Sequence, residues 1–213
     1  MSAAKFIAMM GRGSPRFIGA AGGLQGATGN IAIPYPAGTR AGDFAFVFLN
    51  NNSSPGTLST SGWSSLAPSA VGGSLFWKRL VADDLTATGT VTAASNNFYT
   101  LVFRGYVAAS NRTNQGVASN NGTSSKSWTG FTKGTDPRAI LLFLIGDTST
   151  TMTVTSPFMA NATYDPAAGN STGQYKVRIL YNLVPAQYVD GTAVAETYGS
   201  VWNQVALIAF ALT

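Results

Sequence analysis

The stretch Asp43-Phe44-Ala45-Phe46-Val47-Phe48-Leu49 decides how this chain folds. Its six apolar residues are too few for an ordinary helix. Turn formers bound them on both sides, Ala41-Gly42 before and Asn50-Asn51-Asn52-Ser53-Ser54-Pro55-Gly56 after. A short, bounded apolar run rich in aromatics predicts a central β-strand.

Outward from that run, strand signals repeat and helical ones are nearly missing. The chain has a single Glu, few Lys and no long stretch with apolar residues at i, i+3, i+4 and i+7. Ser74 to Val81 mixes Leu75, Phe76 and Trp77 with Lys78 and Arg79, which suits a strand with one face partly wet or set against a neighbouring subunit. Thr86 to Ala94 and Phe98 to Tyr106, separated by Asn96-Asn97, predict a hairpin, because Asn tolerates the positive φ of tight turns. Arg138 to Gly146 and Met152 to Phe158, flanking Asp147-Thr148-Ser149-Thr150, predict a second. Tyr175 to Val184 alternates, Asp190-Gly191 marks a turn, and Val201 to Leu212 is a closing apolar strand. Roughly ten to twelve short strands give an all-β antiparallel β-sandwich, jelly-roll-like. The polar segment from Ser110 to Ser125 is expected to be a loop crossing between its halves.

Length and composition agree with one large all-β domain. The chain has 213 residues, 45% of them apolar and 10% charged, with 12 Phe, 8 Tyr and 4 Trp to fill a core. The absence of Cys excludes disulfides and thiolate chemistry, and the absence of His removes the commonest proton shuttle and transition-metal ligand. The acids are Asp43, Asp83, Asp84, Asp136, Asp147, Asp165, Asp190 and Glu196. Asp43 reads as a turn-capping side chain and Asp83-Asp84 as a solvated turn, since adjacent strand residues point to opposite faces and make no paired-acid site. Asp165 to Asn170 lacks the carboxylate density of a calcium loop. No metal or cofactor site is expected. Neither Ala139 to Ile145 nor Val205 to Leu212 approaches the roughly 20 residues of a spanning helix, and no membrane partner is expected.

The net charge of +5 is concentrated at the start, where residues 1–42 hold Lys5, Arg12, Arg16 and Arg40 and no acid. Residues 1–27 also hold six Gly and show little periodicity, so they read as an extended, Gly-rich basic arm, with the sandwich domain over 28–213. Four charges in 42 residues with no cluster suit docking on an acidic protein surface better than tracking phosphates, so no nucleic-acid partner is expected. The assembly residues of the arm are Lys5, Arg12 and Arg16, and residues 1–25 are expected to be dispensable for folding. The glycines from Gly22 to Gly29 read as a connector, since no phosphate-binding Gly-Lys-Ser/Thr follows.

Ala41-Gly42-Asp43 with Phe44 to Leu49, then Ser61-Gly62-Trp63-Ser64-Ser65-Leu66, Leu75-Phe76-Trp77-Lys78 and Phe98 to Gly105 with Phe103-Arg104-Gly105, followed by Tyr175 to Val184 and Trp202 to Leu212, resembles a β-sandwich domain common in bacteriophage virion proteins. That resemblance spans roughly residues 25–213. It implies a non-enzymatic protein on the surface of a phage particle, a head decoration (cement) protein or a tail or fibre component. It also implies assembly in the host cytoplasm, often as a homotrimer, with capsid or tail subunits as partners and no catalytic residue. The alternative is a receptor-binding module for host-surface glycan, with Trp128 beside the polar loop as the aromatic contact. A polysaccharide hydrolase would need two cooperating acids from the eight.

Overall fold

The fold is taken from a computed structural model that describes residues 16–49, 56–67, 73–92, 96–106, 108–117, 125–129, 132, 139–147, 152–155, 163–164, 175–182, 194–198 and 205–213. It is all-β and antiparallel. The strands in chain order are β1 (Arg16–Gln25), β2 (Gly29–Ala32), β3 (Phe44–Leu49), β4 (Ser64–Leu66), β5 (Ser74–Arg79), β6 (Thr88–Val91), β7 (Asn96–Arg104) and β8 (Ala109–Val117). They continue with β9 (Ser125–Trp128), β10 (Ala139–Asp147), β11 (Met152–Thr155), β12 (Thr163–Tyr164), β13 (Tyr175–Asn182), β14 (Val194–Tyr198) and β15 (Val205–Leu212). One short 3-10 helix, Ala82–Thr86, lies between β5 and β6.

The first half of the chain builds a five-stranded sheet in the order β1-β7-β3-β5-β4, and the second half builds another in the order β12-β13-β10-β15-β8. β11-β14-β9 form a three-stranded sheet and β2-β6 a two-stranded ribbon. Every residue of β3 is buried, as a strand apolar at both parities requires. Phe44, Phe46 and Phe48 share one face with Leu75, Leu101 and Phe103, and pack against Ile208, Phe210 and Leu212 of β15. The Phe210 ring lies 5.2 Å from Phe46 and 4.9 Å from Trp77, so the two large sheets meet through edge-on and tilted aromatic contacts. Val47 and Leu49, on the opposite face, pack with Phe76, Phe98, Ile33, Ala87 and Val91, so the β2-β6 ribbon and its flanks form a covering layer.

Several expectations are corrected. Residues 16–25 are not part of an arm. They form β1, paired with β7 from Arg16 opposite Arg104 to Gln25 opposite Asn96, with one register shift between Phe17 and Gly19. Glycines that look like a connector fit here because main-chain pairing needs no side chain, and Gly22 allows the close approach. It adopts φ +116, and a Cβ there would collide with the carbonyl oxygen of Phe98. Asn96 and Asn97 belong to β7 and make no hairpin turn. β7 is buried on both faces, with Leu101 and Phe103 on one side and Phe98 and Val102 on the other. It therefore takes a place inside the sheet, while β6, alternately half-buried and buried, goes to the ribbon.

The second expected hairpin is also absent, since β10 pairs with β13 and β15 while β11 pairs with β14. β10, apolar from Ala139 to Ile145, occupies the interior of its sheet. Residues 110–117 of the expected crossing loop belong to β8, whose polar residues are tolerated at a sheet edge. The turns expected at 148–150 and 190–191 lie outside the described residues.

Replacing Gly22 by Ala is expected to cost roughly 1–3 kcal/mol through backbone strain, more if β1 detaches. Gly23→Ala, with nothing within 4 Å of the added methyl, should be nearly neutral. Urea denaturation of the two variants measures the contrast.

Candidate functional site

The strand register brings cations to one end of the first sheet. Arg16 opens β1 opposite Arg104, and Arg79 closes β5 opposite Phe44. Arg40 comes from the turn before Asp43. Asp43 is 1% exposed and takes the Arg104 guanidinium side-on, with Nε 2.6 Å from Oδ1 and a terminal nitrogen 2.8 Å from Oδ2. The Arg40 N–H also donates to Asp43 at 3.0 Å, the capping role read from the sequence. This pairing, together with the charge of Asp43, holds the Arg104 pKa above its already high ordinary value. Arg16, Arg40 and Arg79 remain exposed. Of the three expected assembly residues, Arg16 is thus in the sheet, while Lys5 and Arg12 lie outside the described residues.

A second ionic cluster lies under the segment 56–63. Asp84 is 0% exposed and is no part of a solvated turn. Its neighbour Asp83 is exposed. The Asp84 carboxylate accepts from the Val81 N–H (2.8 Å), the Thr60 hydroxyl (2.8 Å) and the Lys78 ammonium (2.9 Å). Burial alone pushes its pKa up, but these three donors and the positive charge of Lys78 outweigh it and hold the group below its usual value. Lys78 also donates to the Ser61 carbonyl at 2.8 Å and sits 5.7 Å from the Trp63 ring centre. The Trp63 indole N–H donates to Thr60 at 2.9 Å. Tyr35 lies close by, its phenol pKa driven upward first by burial and then by the negative charge of Asp84.

Two open depressions meet at Gly62. One, of about 260 Å³, is lined by Trp63, Phe76, Leu58, Thr57, Thr60 and Ser61. The other, of about 250 Å³, lies at the mouth between the two large sheets, among Phe44, Trp77, Arg79, Ala108 and Ala109. Trp128, the aromatic expected to contact glycan, is 1% exposed on β9, so neither face of its ring is open to a sugar. The tryptophans beside the depressions are instead Trp63, at the first, and Trp77, at the second, and nothing in their spacing singled them out. Asp165 to Asn170 and Trp202 lie outside the described residues. Among the described residues, no group of three or more His, Cys, Asp or Glu gathers where a metal ion would need them.

No protein-family model, curated protein or solved structure matches the chain.

Because the folded-state pKa of Asp84 is depressed, its stabilising contribution is fully present above the usual 3.8 and is lost as the pH falls below that through the folded-state value. Asp84→Asn should therefore flatten the acid limb of a stability profile recorded from pH 2 to 7. Lys78→Met leaves the carboxylate buried without its counter-charge and should cost about 3 kcal/mol or more at neutral pH, read from the denaturation midpoint.

Proposed function

We propose that the protein is a non-enzymatic structural component of a bacteriophage particle, a head decoration or tail-associated subunit that assembles with copies of itself and with neighbouring virion proteins. The phage assignment rests on the sequence resemblance, and a homotrimer is the state that resemblance implies. The observation that carries the assembly reading is β1. It is ten residues long and lies at the edge of its sheet, with no described strand beyond it. A long sheet edge is a template for pairing with another chain, and proteins that do not use such edges shorten, charge or cover them. β1 carries one charged residue, Arg16, and no Pro.

The exposed arginines at the same end supply orientation. Arg16, Arg40 and Arg79 share that end with Asp43, whose charge Arg104 already takes up, so an acidic surface on a partner is the complement they fit. The arm of this reading is shortened to residues 1–15, since residues 16–25 belong to the sheet. Asp43 and Asp84, two of the eight acids available to a hydrolase, are committed to ion pairs, the first tying the start of β3 to β7 and the second tying the 3-10 helix to β5.

The test combines size and truncation. Light scattering of the purified protein should give a mass that is a multiple of the 22.1 kDa chain. A chain lacking residues 1–15 should fold but fail to enter particles, whereas one lacking 1–25 should not fold. Arg40→Glu should slow association on the order of tenfold at low ionic strength, a difference that shrinks as salt is raised. A monomer at all concentrations, or normal incorporation of the 1–15 truncation, would contradict the reading.

A further inference from the structure

The geometry points to a binding site for a neutral saccharide in the depression over Trp63, independent of how the protein assembles. A sugar ring presents an apolar C–H face and a rim of hydroxyls. It is matched by a flat aromatic surface with a few hydrogen-bonding groups at its margin, in a concave site that is mostly apolar. The depression has that composition. The half-buried Trp63 and the nearly buried Phe76 supply apolar surface, and the exposed Thr57 and Ser61 stand at the margin.

What separates Trp63 from an aromatic that merely covers the core is how it is held. Its indole N–H donates to Thr60, the Thr60 hydroxyl donates to the buried Asp84, and Asp84 is fixed in turn by Lys78 and the Val81 N–H. Lys78 reaches back to the Ser61 carbonyl on the same loop. The ring, through Thr60, and the adjacent Ser61 are thus tied to one buried ion pair carried by β5 and the 3-10 helix. Such a support removes the cost of ordering a loop when a ligand arrives. The same ion pair sets the class of ligand. The positive charge of Lys78 is balanced by Asp84, so the depression offers no net charge to a phosphate, sulfate or uronate, and a neutral saccharide is what its surface complements.

The full-length protein is titrated with maltotetraose, cellotetraose and chitotetraose, and with trigalacturonate as the acidic comparison. The indole N–H resonance of Trp63 is followed by NMR, assigned as the signal missing in Trp63→Phe. At least one neutral oligosaccharide should shift that resonance saturably. Thr60→Val, which keeps the side-chain volume but cuts the relay, should weaken binding about fivefold, and Trp63→Ala should weaken it by about tenfold or more. Should Trp63→Ala fail to fold, the wild-type titration decides alone. No shift with any neutral oligosaccharide, tighter binding of trigalacturonate, or undiminished binding by a folded Trp63→Ala protein would overturn the site.

Discussion

Burial of β3 on both faces is the constraint from which the rest of the described structure follows. A strand with no solvent-facing side must be flanked by strands and covered above and below. Here β5 and β7 flank it, β15 covers the Phe44-Phe46-Phe48 face, and the β2-β6 ribbon and its flanks cover the other. β7 shares the same two-sided burial and is thereby kept inside the sheet, which leaves the glycine-rich β1 to occupy the edge. Close packing sets the tolerances. Gly22 has no room for a methyl against Phe98, and Gly89 of the ribbon lies so near the Phe98 ring that an added Cβ would stand 2.6 Å from it.

The two buried carboxylates solve a related problem. Asp43 lies where the chain enters β3 and Asp84 just after it leaves β5, and each is desolvated yet answered by a cation, Arg104 from the strand alongside for Asp43 and Lys78 from the strand just completed for Asp84. Pairs of this kind contribute little net stability, because the Coulombic gain largely offsets the cost of taking charges out of water. Removing one partner is costly all the same, so they enforce one arrangement of the loops at the sheet ends. They also decide which charges the surface shows, leaving Arg16, Arg40 and Arg79 outward at one end and none in excess around Trp63.

Those consequences fall on different parts of the molecule. β1 is one edge of the first sheet, while the depression over Trp63 is built from the segment 56–63 and β5, next to β4 at the opposite edge. Assembly through β1 would therefore leave the proposed saccharide site uncovered. A subunit that packs on one side and displays a ligand site on the other is geometrically consistent with both readings.

Apolar runs and turn formers are local properties, and they were enough to establish the all-β class, the central position of Phe44–Leu49, and strands at 175–182 and 205–212. Strand partnership is not local. Asn96-Asn97 reads as a hairpin turn and residues 16–25 as an arm because nothing near them in the chain reveals that β7 and β1 lie side by side. Polarity misleads in the same way at β8, where a sheet edge accepts residues that a loop would also accept. The buried state of Asp84 was equally illegible, since Lys78 and Val81 reach it locally but it is closed off by Thr60 from a segment far back in the chain, and so was the enclosure of Trp128. Composition determined which elements exist, and only the folded chain decided what each one faces, because burial and hydrogen-bond partners are set by contacts between residues far apart in sequence.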